Sequence, residues 1–372
     1  MGGALRASTR GALRGVMPLV VIAGGGTGGH LYPGLALADT LVGRGLSVTF
    51  VGSAEGIEAR VVPAAGYPFR VLPARQLRGG GLGRALAAVV ATLRGALGAL
   101  GLLRELKPRL VVGVGGYASV AVVMAAWLRR IPTLLLEQNV VPGAANRLLG
   151  RIARCICVGF DDSAAFFPEG RVVHTGNPVR AGVLSPTGTR SDGQLGLLIF
   201  GGSAGARRIN QATLEALRLL GASARRLAIT HQTGVADVDG TRAGYAALGL
   251  AGRVEPFIAD MGGAYAAADV VVARAGAMTC AELTAVGLPA VLVPYPYATD
   301  DHQRRNAEVL VRAGAAEMIL DRELSGERLA AALQTLTDDP ARRAAMAARA
   351  RALGRPDAAD RVAEECVRLL AS

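Results

Sequence analysis

His30 closes the stretch Val20-Val21-Ile22-Ala23-Gly24-Gly25-Gly26-Thr27-Gly28-Gly29, an apolar run that enters five glycines. Its imidazole is the one side chain in this turn that exchanges a proton near neutral pH. A helix N-terminus at that point would keep the ring neutral, as a general base must be. The glycines let backbone approach a ligand with no Cβ in the way. Free N–H groups opening the next helix then suit an anionic group. The bland alternative is a histidine hydrogen-bonded to backbone at a helix start. The glycine cluster favours the proton-transfer reading.

Three further constellations carry chemistry. Val112-Gly113-Val114-Gly115-Gly116-Tyr117 is a second glycine turn, either a tight connection or an anion cradle facing the first. Glu137-Gln138-Asn139 ends another apolar run, where polar substrate groups are read. Gly276-Ala277-Met278-Thr279-Cys280-Ala281-Glu282 follows a third run. There Thr279-x-x-Glu282 fits a helix capping box. In the rival reading, the helix start meets a phosphate and Glu282 accepts hydroxyl hydrogen bonds from a ribose. Asp237-Val238-Asp239 resembles a metal-holding carboxylate pair but reads as a solvated loop, and neither metal nor cofactor is called for.

Gly24-x-Gly26-x-x-Gly29 also matches the dinucleotide fingerprint, but the acidic residue expected about 20 positions on is missing. Thr49-Phe50-Val51-Gly52-Ser53 occupies that region, which disfavours a nicotinamide dehydrogenase. His30 stands where a P-loop has lysine.

These turns need strands that end at them and helices that begin at them. Strands are expected over 18–23, 46–51, 110–114, 133–136 and 155–158, with helices over 30–43, 55–65, 83–106, 118–129 and 143–150. A second half repeats the pattern. Its strands are expected over 195–200, 226–230, 253–254, 269–272 and 290–293. Its helices are expected over 207–220, 241–248, 260–267, 278–286, 303–313, 326–336 and 340–353, with a final helix to Leu370. Gly201-Gly202-Ser203-Ala204-Gly205-Ala206 follows its first strand, a third glycine turn. Such alternation means two α/β domains, each a doubly wound parallel sheet, with glycine turns lining a cleft between them.

A chain of 372 residues with 51% hydrophobic residues supports two cores. The polar stretch 185–193 reads as a linker or surface loop. Residues 1–16 read as a disordered extension, and Met17 is an alternative start. The stretch 82–103 holds Arg84, Arg94 and three glycines, so it reads as a buried or interfacial helix rather than a membrane span. The charge is +12, carried by arginine apart from Lys107, and aromatics are only 4%. That composition disfavours single-stranded nucleic acid and leaves phosphorylated substrates or an anionic membrane face. Cys155, Cys157, Cys280 and Cys366 form no metal or redox motif and read as reduced, buried thiols.

Taken in order, the motifs resemble the MurG family, the N-acetylglucosaminyltransferases that complete lipid II. The match includes residues 25–30, 115–117 and 137–139, then Gly176-Asn177-Pro178-Val179-Arg180 and Gly201-Gly202-Ser203. It continues with Phe257-Ile258 ahead of Asp260-Met261, then residues 274–279, Glu282, and His302-Gln303 ahead of Asn306-Ala307. The resemblance implies a GT-B fold, with residues 17–179 and 356–372 as the lipid I-binding, membrane-associating domain and 180–355 as the UDP-GlcNAc domain. It implies inverting transfer of GlcNAc to the 4-hydroxyl of MurNAc.

It also implies roles for individual residues. His30 would be the base. Thr27, Gly28 and Gly29 would lie beside the donor sugar and the acceptor diphosphate. Gly115, Gly116 and Tyr117 would hold that diphosphate. Asn139 and Gln303 would contact GlcNAc, Arg180 and Ser203 the nucleotide diphosphate, and Ile258 the uracil through its backbone. Met278 and Thr279 would sit by the donor phosphates and Glu282 on the ribose, with Ala277, Cys280 and Ala281 also among the donor-binding residues. The family usually has glutamine where Ala204 stands. A peripheral place on the cytoplasmic face of the cell membrane is implied, with anionic inner-leaflet lipids and cell-wall and division proteins as partners. The docking patch would combine Leu82, Leu86 and Trp127 with Arg78, Arg84, Arg129 and Arg130. The nearest rival is another GT-B UDP-sugar transferase with a lipid or natural-product acceptor. An epimerase on this fold and a non-catalytic binder of lipid pyrophosphate are further alternatives.

Overall fold

The computed structural model describes residues 18–72, 95–185, 193–202 and 204–372. The extension 1–16, Met17, residues 82–94 of the apolar stretch, most of the 185–193 linker and Ser203 lie outside these. So do Arg78, Leu82, Arg84 and Leu86 of the expected docking patch.

In the first half the elements are β1 (Leu19–Gly24), α1 (Gly28–Gly43), β2 (Ser47–Gly52), α2 (Glu58–Ala64), β3 (Phe69–Val71) and α3 (95–106). They continue with β4 (Leu110–Gly115), α4 (Tyr117–Leu128), β5 (Thr133–Glu137), α5 (Ala144–Leu149), β6 (Cys155–Val158) and β7 (Val172–His174). The second half opens with α6 (Ala181–Leu184), β8 (Leu195–Phe200), α7 (Arg207–Leu220), β9 (Leu227–Gln232), α8 (Val238–Ala247), β10 (Gly252–Glu255) and α9 (Met261–Ala266). Then come β11 (Val270–Ala273), α10 (Ala277–Val286), β12 (Ala290–Leu292), α11 (His302–Arg312) and β13 (Ala316–Met318), and finally α12 (Gly326–Asp338), α13 (Pro340–Leu353) and α14 (Ala358–Ala371).

The two sheets are parallel throughout, ordered β3-β2-β1-β4-β5-β6-β7 and β10-β9-β8-β11-β12-β13. Val20 to Ala23 are all fully buried. Helices cover both sheet faces, so the central strands are continuous apolar runs rather than alternating ones. β3, β7 and β13 were not expected from the sequence. Each is a three-residue edge strand, too short for a hydrophobic pattern, and its strand character comes from the neighbour that it pairs with.

Strand order reverses between β1 and β4, and again between β8 and β11. Open α/β sheets bind ligands at such points, beyond the carboxyl ends of the strands. In the first sheet the β1–β4 register shifts there, pairing Gly24 with Gly115. The last helix, α14, returns to the first sheet. Its Val362, Ala363 and Cys366 share one buried cluster with Val20, Ile22 and Leu37. Arg44 Nη2 meets Asp360 at 2.8 Å, and Arg109 Nη2 donates to the Leu370 carbonyl at 3.1 Å. All four cysteines are buried and unpaired. Among the described residues no helix is long and apolar enough to cross a membrane.

Candidate active site

The first two glycine turns interlock at the reversal point of the first sheet. Gly25 N–H donates to the Gly115 carbonyl at 3.3 Å. Gly115 has φ +102°, and a Cβ there would meet the His30 ring at 2.9 Å. Only glycine combines that backbone with that closeness. The helix α1 begins at Gly28, two residues earlier than expected, so His30 lies inside its first turn. Thr27 is the residue preceding the helix, and its Oγ1 lies 3.3 Å from His30 Nδ1. Burial lowers the proton affinity of His30 below the usual histidine value, and His302 across the cleft adds to this. A hydrogen bond with the Gly25 backbone and the charge of Glu58 oppose it. The ring is therefore neutral at pH 7, with the proton-accepting capacity of a base.

Gly25 and Gly26 spend their N–H groups inside the protein, on the Gly115 carbonyl and on Glu58 Oε2 (2.8 Å). The N–H groups of Thr27, Gly28 and Gly29 open the helix, and Thr27 and Gly29 are exposed. Gly116 packs on the first turn, where a Cβ would lie 2.7 Å from the Gly25 carbonyl oxygen, and Tyr117 opens α4. Two sets of backbone donors thus converge beside His30, suited to a diphosphate.

The second sheet brings a complementary set. Arg180 stacks on Tyr32 of α1 with its Cζ 4.5 Å from the ring centre, and its Nη2 lies 3.8 Å from Glu282 Oε1. Its buried Nε has no partner among the described residues. Tyr265 donates its hydroxyl to Glu282 Oε2 at 2.9 Å. Burial raises the Glu282 carboxyl above its usual range, while Arg180 and Tyr265 favour the ionised form. The capping-box expectation fails here. Gly276 precedes α10 and Thr279 lies within its first turn, while Glu282 turns to Arg180 and Tyr265 instead of back to the helix start. Ala277, Met278 and Thr279 form that first turn, whose N–H groups lack intrahelical acceptors.

Cys280 and Ala281 follow this turn in α10. Cys280 N–H is spent on the Gly276 carbonyl. Both side chains line a separate cavity of about 210 Å³ with Asn177, Leu353 and Arg355, behind α10. Ile258 is fully buried. Gln303 lies in a cleft of about 480 Å³ with Gly201, Ala204, Arg274 and Tyr295. Its Oε1 accepts from Tyr295 N–H at 2.9 Å, which leaves its amide N–H₂ to a ligand.

Of the trio 137–139, only Asn139 is not fully buried. Glu137 accepts from Asn139 N–H, Gly143 N–H and Asn146 Nδ2, and so shapes the loop that presents Asn139. Gln138 Nε2 bonds to the Val114 carbonyl. Asp237 is held by Arg207 (2.9 Å) and Asn210 (3.1 Å). Sequence reasoning missed Glu58 under the first turn and the role of Asn306. Asn306 Oδ1 accepts from Val140 N–H, and its Nδ2 donates to Asn139 Oδ1 and the Ala275 carbonyl, tying the two halves together. For Glu58 the available signal was a pair of glycines, 52 and 56, close to an acidic residue opening a short helix.

The model of the glycosyltransferase family 28 N-terminal domain matches residues 20–158, and that of the C-terminal domain matches 196–362. The chain is 48% identical to the UDP-N-acetylglucosamine--N-acetylmuramyl-(pentapeptide) pyrophosphoryl-undecaprenol N-acetylglucosamine transferase of Myxococcus xanthus, over 95% of this chain and 94% of that one. A relative of the same name in Geobacter sulfurreducens is 46% identical, over 94% and 98% of the two chains. The crystal structure of Acinetobacter baumannii MurG matches with a TM-score of 0.79 and 33% identity, covering 94% of this chain and 99% of that one. With both domain models matched and relatives of this identity covered along nearly their whole length, the chain belongs to glycosyltransferase family 28, and within it to the MurG family.

Proposed function

We propose that this protein transfers GlcNAc from UDP-GlcNAc to the 4-hydroxyl of MurNAc in lipid I, with inversion, releasing UDP and forming lipid II. The observation that carries the reading is neutral His30 at the reversal point of one sheet, with Arg180 of the Arg180–Glu282 pair stacked on Tyr32 of the same helix. In one in-line displacement His30 takes the hydroxyl proton. The acceptor oxygen bonds to C1 of GlcNAc as the bond from C1 to the UDP oxygen breaks. The N–H groups of Ala277, Met278 and Thr279, with Arg180, meet the charge that develops on UDP. Glu282 accepts from the ribose hydroxyls in place of Tyr265, and the Ile258 backbone reads uracil. Asn139 and the Gln303 amide contact GlcNAc, and Ser203 contacts the donor diphosphate. Thr27, Gly28 and Gly29, with Gly115, Gly116 and Tyr117, hold the acceptor diphosphate.

In this reading, 17–179 with 356–372 is the acceptor half and 180–355 the donor half. The acceptor half docks on the anionic cytoplasmic leaflet through the end of α4. There Trp127 and Leu128 are 49% and 57% exposed beside exposed Arg129 and Arg130. Cell-wall and division proteins are the partners expected at that surface. The test is UDP release from labelled UDP-GlcNAc with a short-chain lipid I analogue. Release that requires the acceptor supports the transferase. Release without acceptor or product overturns it in favour of an epimerase or hydrolase.

A further inference from the structure

Glu58 is a carboxylate at 2% exposure with no cation bonded to it among the described residues. Its two oxygens instead take backbone donors from two different loops: Gly26 N–H at 2.8 Å after β1 and Ser53 N–H at 3.0 Å after β2. The Ser53 hydroxyl in turn accepts from Glu55 and Gly56 N–H, each at 3.1 Å, which fixes the second loop. Three glycines make room for this one side chain. A Cβ on Gly25 would lie 2.5 Å from the Glu58 carboxyl carbon, one on Gly52 2.6 Å from its Cγ, and one on Gly56 2.1 Å from Oε2. A buried carboxylate costs several kcal/mol unless its lone pairs are satisfied. Two backbone donors and a glycine-lined socket therefore mark a built feature.

We propose that Glu58 is a positioning residue for the transfer reaction, a buried carboxylate that holds the first glycine turn in register and stabilises the imidazolium His30 becomes on taking the acceptor proton. This rests on His30 being the base. The first role follows from the bonding. With Gly26 pinned to Glu58 and Gly25 to Gly115, the following N–H groups of Thr27, Gly28 and Gly29 and the start of α1 have a single placement. The second follows from placement: the Glu58 carboxylate lies against Gly25 and Gly26, and Gly25 is bonded to Gly115, on which the His30 ring packs. Among the described residues, the groups acting electrostatically on His30 are Glu58 from α2 and His302 from α11. The β4–α4 turn against the ring contributes Gly115 and Gly116, which carry no charge. Glu58 is the one anion of the set, and it favours the protonated ring.

The experiment is steady-state turnover of the full chain with UDP-GlcNAc and the lipid I analogue from about pH 5 to 9, with melting curves with and without UDP. Glu58→Gln keeps the size but loses the charge and turns an amide N–H₂ toward a backbone donor. The expected result is kcat reduced at least about tenfold, with KM for UDP-GlcNAc little changed and the acid limb moved to lower pH. A folded, UDP-stabilised E58Q with the wild-type kcat or an unmoved acid limb overturns the proposal. Should E58Q not fold, Glu58→Asp decides. It keeps the charge but falls one methylene short, so lowered kcat with an unmoved limb supports the proposal and wild-type kcat overturns it. If His30→Asn keeps the wild-type acid limb, the base assignment fails and not the socket.

Discussion

At the scale of the residue, the two groups most open to test are His30 and Glu282, and in both burial dominates the titration. For His30, burial lowers the pKa from the usual 6.5, and only the neutral ring accepts a proton. Activity therefore rises as pH climbs through that lowered value and is level above it, so the acid limb of kcat/KM, which reports the free protein, is centred below 6.5. His30→Ala is expected to remove this limb and about 10²- to 10⁴-fold of kcat, while UDP binding by calorimetry is unchanged. A limb centred above the usual histidine value would exclude His30 as the titrating group. Glu282 is engaged by Tyr265 through Oε2 and faces Arg180 through Oε1, so its carboxylate is oriented within the protein.

Elements explain why these residues meet. The first two glycine turns each belong to a strand–turn–helix unit, and they meet because strand order reverses between β1 and β4. The expected capping box at Thr279 fitted a four-residue pattern, but the helix begins ahead of Thr279, at Ala277, and carries no side-chain cap. Asn306, fully buried on α11, bonds to the Asn139–Val140 loop of one half and to Ala275 of the other. Asn306→Ala leaves the Val140 N–H and the Ala275 carbonyl unpaired. The expected cost is about 1–3 kcal/mol in urea unfolding, with a raised KM for UDP-GlcNAc as Asn139 loses its support. Wild-type stability and kinetics together would show that the bridge is not used.

For the whole molecule, two parallel sheets in the GT-B arrangement are joined by contacts at the cleft and by the return of α14. Arg147–Asp300 (2.6 Å) and the Arg312–Asp162 pair add ionic links between halves, which salt weakens. The exposed end of α4 is the part proposed to meet a membrane. Trp127→Ser with Arg129→Glu and Arg130→Glu is expected to cut sedimentation with anionic vesicles at least about tenfold, since each basic residue near such a surface contributes about 1 kcal/mol. Turnover of a soluble acceptor analogue should be unaffected. Equal sedimentation of the variant and the parent would place the docking surface elsewhere.

The alternation of strands and helices, the glycine turns and His30 are legible along the chain before it folds. Each of these is written locally, in apolar runs that must be buried on both faces and in turns that only glycine can make. Only the tertiary structure decided which polar groups serve one another. Gly26 and Glu58 are 32 positions apart, and Asn139 and Asn306 are 167 apart. The short edge strands belong to the same class, since their pairing lies in a neighbour and not in their own three residues. A glutamate or asparagine satisfied by water at the surface has the same place in a sequence as one locked under a catalytic turn. Burial and the geometry of distant backbone donors separate the two, and both arise only when the chain has closed on itself.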